Sequence, residues 1–307
     1  MTDTAASGLL DRRLVFLLGK GGVGRSTLAA ALGLLAARRG ARAIVVEVSG
    51  RGDVPRLFGV GGEIGVELEL AAGLWTLDVD PRRALEEYLR DQLPLRVLAD
   101  AIGSSTTFGY VSAAAPGLRE LLTVGKIWEL AQPQRRDPGA QPYDFVVVDA
   151  PATGHGLALL EAPRTFAAAA AAGPIARHAG RIAETLADRS LTALVAVATP
   201  ERAAIEELLG MRRTLDGSLA AVIANAVAPS RYSAPDGAAL RSAHAHRDLA
   251  PQARLALAAA IAEDALARSQ REQLERLPGA LELPFMRARQ MSVDDLGVLA
   301  EHLEALA

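Results

Sequence analysis

The feature that most constrains this chain is a glycine-rich run at residues 19–27, which reads GKGGVGRST. The apolar residues 14–18 before it predict a buried strand, and leucines at helical spacing in residues 26–39 predict a helix after it. A strand, a glycine loop and a helix in this order are the context of a phosphate-binding loop. The run matches the pattern G-x-x-x-x-G-K-[ST] except at one position, where Arg25 replaces the lysine.

The residues of this loop have the chemistry that phosphate binding requires. Glycines let backbone N–H groups approach phosphate oxygens, and the helix N-terminus adds partial positive charge. Ser26 supplies a hydroxyl group that can bind Mg²⁺. A glycine-rich turn without a ligand is the alternative. We predict that ATP or ADP with Mg²⁺ binds at Gly19, Gly21, Gly22, Val23, Gly24, Arg25, Ser26 and Thr27.

The composition limits the classes of protein to which the chain can belong. Its 307 residues, half of them hydrophobic, are enough for one large α/β domain or two small ones. A net charge of −3 gives no basic surface, so nucleic-acid binding is not expected as a main activity. The chain has no cysteine, which excludes disulfides and thiolate metal sites and fits the reducing cytoplasm. No signal peptide and no integral membrane segment are expected.

Short apolar runs alternate with helical patterns along the chain. The runs predict strands at residues 43–48, 74–79, 145–149, 194–198, 219–223 and 281–283, and the patterns predict helices at 200–214, 235–277 and 293–306. This βαβα alternation predicts one domain over residues 1–307, a three-layer P-loop NTPase fold with a mostly parallel central sheet and helices on both faces. Strand signals are missing at about 80–140, where we expect a helical subdomain.

Asp149 ends the predicted strand at 145–149, and the segment APATGH follows it at residues 150–155. A carboxylate at this place, beside a phosphate-binding loop, is suited to hold a Mg²⁺-bound water. An apolar strand often ends in aspartate, but here the segment that follows adds specificity. We therefore predict Asp149 as a metal-binding and catalytic residue.

The loop and the segment after Asp149 together resemble the ArsA-type ATPases, which include the arsenite-pump ATPase and the ATPase that targets tail-anchored membrane proteins. The family's switch motif D-T-A-P-T-G-H is similar to residues 149–155, with differences at 150–152. Residues 116–120 and 199–201 resemble the family's P-G-x-x-E and T-P-E segments. The likeness implies that Asn225 recognises the nucleotide base and that Pro284 begins the loop beside the adenine.

Lys20 resembles the signature lysine of the class of P-loop ATPases that contains ArsA, MinD, ParA and the nitrogenase iron protein. The resemblance implies a catalytic role for Lys20 in a dimer, where it reaches toward the nucleotide of the partner. The closest likeness is to the shorter member of the paired ArsA-type ATPases of actinobacteria, through residues 46–51 and 125–127. It implies a paralogous partner, and both a homodimer and a heterodimer stay open.

Two positions depart from the family pattern. An aspartate in the loop after the second strand orients the attacking water in the family, and Ser49 stands there in this chain. Asp53 is the candidate to replace it and Glu47 the second, although both can be ordinary carboxylates. Arg25 keeps the positive charge of the missing lysine, but its planar group is larger than an ammonium. We therefore predict that hydrolysis is weak or absent in the chain alone, while nucleotide-dependent closure of the dimer is retained.

The resemblance to the targeting ATPase also suggests that the helical subdomain forms a groove for an apolar client helix. The same residues can instead form the subdomain's own core, which is the commoner role of such a pattern. The residues concerned are Leu85, Tyr88, Leu89, Leu93, Leu95, Val97, Leu98, Ile102, Phe108, Leu118, Leu121, Leu122, Ile127 and Leu130.

Two other functions compete with that of a nucleotide switch. One is a non-catalytic scaffold, a pseudo-ATPase subunit that regulates an active paralogue. The other is a positioning ATPase similar to MinD and ParA, which needs an amphipathic membrane-binding tail or a basic DNA surface. Residues 293–307 carry four carboxylates and no lysine or arginine, so attraction to an anionic membrane is missing.

Overall fold

A computed structural model describes residues 8–92, 117–137, 139–169 and 173–305. The strands in these ranges are β1 (Leu14–Gly19), β2 (Ala43–Glu47), β3 (Leu68–Ala71), β4 (Leu74–Asp78), β5 (Phe145–Asp149), β6 (Thr192–Ala198), β7 (Leu219–Val227) and β8 (Leu281–Pro284). The helices are α1 (Arg25–Arg38), α2 (Asp53–Leu57), α3 (Pro81–Gln92), α4 (Leu118–Leu130), α5 (Thr153–Ala169), α6 (Pro174–Ala187), α7 (Arg202–Thr214), α8 (Ala234–His244), α9 (Pro251–Leu274) and α10 (Val293–Ala305). None of these helices combines the length and the apolar character that a membrane span requires.

The strands form one sheet in the order β3-β4-β2-β5-β1-β6-β7-β8. All neighbouring pairs are parallel except β3 and β4, which are antiparallel. The strand before the glycine loop, β1, therefore lies in the middle of the sheet between β5 and β6. The carboxyl ends of the parallel strands meet at one edge, which brings the glycine loop and Asp149 together. The prediction of a mostly parallel central sheet is confirmed.

Helices cover both faces of this sheet because its central strands are apolar on both sides. In β1, Val15 and Leu17 belong to a core formed with α1, α7 and α10. Leu14 and Phe16, which point the other way, belong to a second core formed with α4, α5 and α6. All residues of β1, β2 and β5 are buried, as expected for strands in the middle of a parallel sheet. The three-layer α/β architecture predicted from the sequence is confirmed.

Some elements differ from the predicted ones. The short edge strand β3 was not predicted, because its four residues carry no apolar run and it forms by pairing with β4 across a turn at Gly73. The region 235–277 was predicted as helical throughout, but it forms two helices, α8 and α9. Pro251 starts α9, and proline has no N–H to continue a preceding helix.

The described part of the predicted helical subdomain consists of α3 and α4. Ala84, Leu85 and Leu122 form a small apolar cluster between these helices. Ile127 and Leu130 instead belong to the main core on one face of the sheet. The bounds 80–140 of the subdomain stay a prediction, and part of the predicted set lies outside the described residues: Leu93, Leu95, Val97, Leu98, Ile102, Phe108 and the proline of the segment 116–120.

Candidate functional site

The glycine loop connects the end of β1 to the start of α1 at the carboxyl edge of the sheet. Gly22 and Gly24 have φ angles of 86° and 88°, a left-handed conformation that favours glycine. No side chain caps α1, and its first turn holds no acidic residue. The N–H groups of that turn are therefore available to an anion, as in a phosphate site.

Two neighbouring strands fix the position of this loop. A Cβ atom at Gly24 would collide with the side-chain amide of Asn225, and one at Gly19 would collide with the carbonyl of Val197. Asn225 also donates a hydrogen bond of 2.8 Å from Nδ2 to the carbonyl of Val23. At Gly21 and Gly22, by contrast, an added Cβ would meet no atom within 4 Å. The loop is thus in close contact with β6 and β7 at Gly19 and Gly24, whereas the space beside Gly21 and Gly22 is open.

Ser26, in the first turn of α1, meets Asp149 at the end of β5. The Ser26 hydroxyl donates to Oδ2 of Asp149 at 2.5 Å. The other carboxylate oxygen, Oδ1, is buried and accepts no hydrogen bond from the described residues. Burial raises the pKa of Asp149, although the Ser26 hydroxyl and the charge of Arg25 oppose this shift. A hydroxyl and an unsatisfied carboxylate oxygen are hard oxygen ligands, so the pair fits a Mg²⁺ ion.

Arg25 lies in the same place but directs its guanidinium group at the protein backbone. Its terminal nitrogen donates to the carbonyls of Ala150 and, at 2.6 Å, of Pro151. Its Nε lies 4.0 Å from Oδ1 of Asp149, and only 12% of the side chain is exposed. Burial lowers the pKa of Arg25 from its ordinary value, yet arginine stays charged at neutral pH. Arg25 therefore joins the glycine loop to the segment that follows β5.

Lys20 is the first residue of the loop after β1, and it is exposed to solvent. Pro284 ends β8, where it pairs with Val227, two residues beyond Asn225 in β7. Asn225 and Pro284 therefore lie on neighbouring strands at the same edge of the sheet as the loop. His155, from the segment after Asp149, lies on α5. It lines a cavity of about 540 Å³ together with Ser49.

The loop after β2 is organised by two carboxylates whose role the sequence reasoning missed. Glu47 is fully buried, and its Oε1 accepts the backbone N–H groups of Asp53 at 2.8 Å and Val54 at 3.1 Å. Asp78, at the end of β4, accepts the N–H groups of Gly50 at 3.1 Å and Gly52 at 3.4 Å. Strands that end in a carboxylate beside a glycine-rich turn were the available signal, since such a turn exposes N–H groups that need acceptors.

These contacts decide where each candidate for orienting water lies. Ser49 is exposed in the loop, and Asp53 lies at the start of α2 with its side chain 37% exposed and 3.5 Å from Arg56. Glu47 faces the protein interior, and its Oε2 accepts no hydrogen bond from the described residues. Burial raises the pKa of Glu47 from 4.5 to about 7, which the N–H groups of Val54 and Asp53 partly oppose. Of the two carboxylates, Asp53 is thus the one that reaches solvent.

We expect the Glu47→Gln variant to lose part of the dependence of stability on pH. Glu47 binds its proton more tightly in the folded chain than in the unfolded chain. Its contribution to stability is therefore complete below pH 4.5 and is lost as the pH rises through 7. Glutamine keeps the acceptor for the N–H groups but does not ionise, so the variant should be more stable than the wild type at pH 8, by up to about 3 kcal/mol.

Urea unfolding between pH 5 and pH 8, with EDTA present, measures this difference. Glu69→Gln, at an exposed position of β3, is the matched control for removing one carboxylate from the chain. Equal pH dependence of the Glu47→Gln variant and the wild type would contradict the assignment.

The sequence matches one protein family and several individual ATPases. The model of a family described as anion-transporting ATPase matches residues 12–172, which include the glycine loop and Asp149. ATPase BagA of Mycobacterium tuberculosis is 34% identical over 209 residues, which are 66% of this chain and 61% of that protein. The arsenical pump-driving ATPase of Escherichia coli is 26% identical over 63% of this chain and 35% of its own length. ATPase GET3B of Arabidopsis thaliana is 26% identical over 52% of this chain and 42% of its own length. The matches thus span about three fifths or less of these relatives.

Proposed function

The chain belongs to the anion-transporting ATPase family, the ArsA type, and on this premise we propose that it is a nucleotide-dependent switch that binds Mg²⁺-ATP and Mg²⁺-ADP as a dimer. Hydrolysis by the chain alone is weak, and the second half of the dimer is a paralogous subunit or a second copy. The absence of cysteine supports a cytoplasmic location.

The observation that carries this proposal is the pairing of Ser26 with Asp149 next to the glycine loop. The 2.5 Å hydrogen bond brings their oxygens together, and the unsatisfied Oδ1 of Asp149 leaves room for one more interaction. Ser26 would bind Mg²⁺ directly and Asp149 would hold one of its water ligands. When bound, Mg²⁺ supplies positive charge that neutralises the phosphates. The N–H groups of the loop and of the first turn of α1 bind the phosphate oxygens.

Two observations support weak hydrolysis. The guanidinium of Arg25 is engaged with the carbonyls of Ala150 and Pro151, so these donors are already used within the chain. Ser49, at the position where relatives carry the water-orienting aspartate, offers a hydroxyl that is a much weaker base than a carboxylate. Asp53 is the candidate to replace it because it reaches solvent, but its neighbour Arg56 competes for the carboxylate.

The positions of Lys20, Asn225 and Pro284 support the proposed dimer and the proposed adenine site. Lys20 is exposed in the glycine loop, and its long flexible side chain is suited to reach a nucleotide bound to a facing subunit. The side-chain N–H of Asn225 donates to the carbonyl of Val23. The side-chain oxygen is left as an acceptor for the amino group of adenine. Pro284 lies on the neighbouring strand and borders the same position.

A client with an apolar helix is a further part of the proposal. A cavity of about 230 Å³ lies between α3, α4 and α6, and its walls are almost entirely apolar. Leu85, Leu89 and Leu118 are among the residues that line it. An apolar side chain of a client would gain from burial there.

The second candidate function is a pseudo-ATPase scaffold that regulates an active paralogue. The contacts of Arg25 favour it, because a guanidinium buried against the segment after Asp149 stabilises one arrangement of the two segments without any nucleotide. Nucleotide binding distinguishes the two functions, since the switch requires it and the scaffold does not.

We expect the purified chain to bind Mg²⁺-ATP and Mg²⁺-ADP and to release phosphate at a rate far below that of its intact relatives. Titration calorimetry with each nucleotide measures binding, and a phosphate-release assay measures turnover, both for the chain alone and mixed with candidate paralogues. Binding without turnover supports the switch, and no binding at all would leave only the scaffold. Turnover by the chain alone at the rates of intact relatives would contradict the proposed impairment.

A further inference from the structure

Helix α9 extends well beyond the sheet on the side of the glycine loop. Leu274 near its end packs against Ala224 and Val227 of β7, and Gln270 accepts the N–H of Ala228, the first residue after that strand, at 2.7 Å. The helix therefore passes the carboxyl edge of the sheet at residue 270. Its preceding 19 residues, at about 1.5 Å each, continue for about 28 Å along the helix axis from that point.

The base of this projection is fixed by ion pairs within the chain. Asp264, whose side chain is only 5% exposed, lies 2.6 Å from Arg268 and 3.4 Å from Arg241 of α8. Glu263 contacts Arg231 at 3.3 Å and Arg287 at 2.5 Å, and these two arginines follow β7 and β8. A helix anchored in this way is a rigid element, so the side chains on its outer face have defined positions.

The outer face of the projecting helix is apolar and unpartnered in the described part of the chain. Leu255 is 71% exposed and Leu266 is 52% exposed, and the exposed Ala259 and Ala262 lie between them. Their spacing of four, three and four residues places all four on one face of the helix, opposite Asp264. We call these four residues the α9 face.

The order of residues on the α9 face indicates what covers it. Leucine, alanine, alanine and leucine read the same in both directions, so two copies that cross antiparallel would bring Leu255 against Leu266 and Ala259 against Ala262 of the other copy. A self-complementary patch of this kind is what a two-fold symmetric interface requires. Between Leu255 and Leu266 the only charged residues are Glu263 and Asp264, and both are already paired within the chain. Unpaired charge is therefore absent between the two leucines, and the arginines Arg254 and Arg268 lie outside this stretch.

The α9 face is too small to hold a dimer by itself. A stable dimer interface buries about 1,600 Å² in total, more than three turns of one helix can supply. The face must therefore act together with a second surface. The exposed Lys20 and the glycine loop lie at the same edge of the sheet toward which α9 projects.

We propose that a second copy of this chain docks on the α9 face in antiparallel orientation, which helps to bring two nucleotide sites together. This inference rests on the proposed dimeric switch and names one of the surfaces that hold it. It commits to a homodimer as the occupant of the face.

Engineered cysteines test the geometry, because the natural chain has none and each new thiol is unique. A mixture of Ala259→Cys and Ala262→Cys chains, oxidised with diamide, should form a disulfide-linked dimer about tenfold faster than either chain alone. Leu191→Cys, on an exposed leucine outside α9, gives the background rate of random collision. A mixture that reacts no faster than this background would overturn the proposal.

A second experiment tests the energy of the interface. The Leu255→Glu/Leu266→Glu variant should raise the dissociation constant of the dimer about 100-fold, because it buries unpaired charges, with nucleotide affinity per chain unchanged. Sedimentation velocity with and without Mg²⁺-ATP measures the mass, Leu191→Glu is the control, and circular dichroism reports the fold. A wild-type chain that is monomeric in both conditions, that dimerises only with a paralogue, or whose dimer survives the double substitution would overturn the inference. Loss of nucleotide binding by the wild type would instead overturn the proposed function.

Discussion

The Arg25→Lys variant is expected to release phosphate from Mg²⁺-ATP at least about tenfold faster than the wild-type chain, a change of about 1.4 kcal/mol in the barrier. Arginine reaches one atom further than lysine and donates to the carbonyls of Ala150 and Pro151. An ammonium group on the shorter stem cannot hold both carbonyls. It is instead a compact charge suited to phosphate oxygens.

The same substitution should loosen the segment after β5. Without Arg25, the carbonyls of Ala150 and Pro151 lose a charged donor, and the segment is free to respond to the nucleotide. Adding Ser49→Asp introduces a carboxylate at the position where the family resemblance implies the water-orienting aspartate. The double variant should therefore turn over faster than Arg25→Lys alone.

A matched control is available on the same helix. Arg38, in the last turn of α1, donates to the carbonyl of Gly297 at 3.4 Å, far from the glycine loop. Arg38→Lys should leave both binding and phosphate release unchanged. If Arg25→Lys binds ATP but neither it nor the double variant exceeds the wild-type rate, then Arg25 and Ser49 do not limit hydrolysis.

The fold could be predicted from the sequence because its main strands carry strong local signals. The runs that became β1, β2 and β5 are apolar except for the carboxylates Glu47 and Asp149 that end β2 and β5, and such buried apolar strands are typical of the middle of a covered parallel sheet. The edge strand β3 has no such signal, since it depends on pairing with β4. The break between α8 and α9 precedes Pro251, and the alanine-rich pattern on both sides of this proline is equally helical.

The candidate site could be predicted only in part. The glycine spacing and the position of Asp149 identified the residues that meet at the carboxyl edge. The direction of the Arg25 side chain was not predictable, because it depends on carbonyls 125 and 126 residues away in sequence. The role of Glu47 was missed for a similar reason: a buried carboxylate that holds a turn is recognised only when the N–H groups facing it are known.

The Asp149→Asn variant is expected to lose the contribution of Mg²⁺ to nucleotide binding. In the wild type, Mg²⁺ should raise the affinity for ATP about 100-fold, and in the variant by less than about threefold. Asparagine accepts the hydrogen bond from Ser26 but carries no charge for the ion or for its water ligand. Since burial raises the pKa of Asp149, the neutral side chain should not destabilise the fold at neutral or higher pH.

Unchanged stability of the Asp149→Asn variant distinguishes the loss of the metal site from the loss of the fold. Calorimetric titration of ATP with Mg²⁺ and with EDTA gives the two affinities, and thermal unfolding of the same samples without ligand gives the stability. Asp144→Asn is the matched control, because Asp144 precedes the same strand at the opposite edge of the sheet and accepts the N–H of Arg42. A Mg²⁺ effect of equal size in Asp149→Asn and in the wild type would show that the ion binds elsewhere. The hydrogen bond between Ser26 and Asp149 would then have only a structural role.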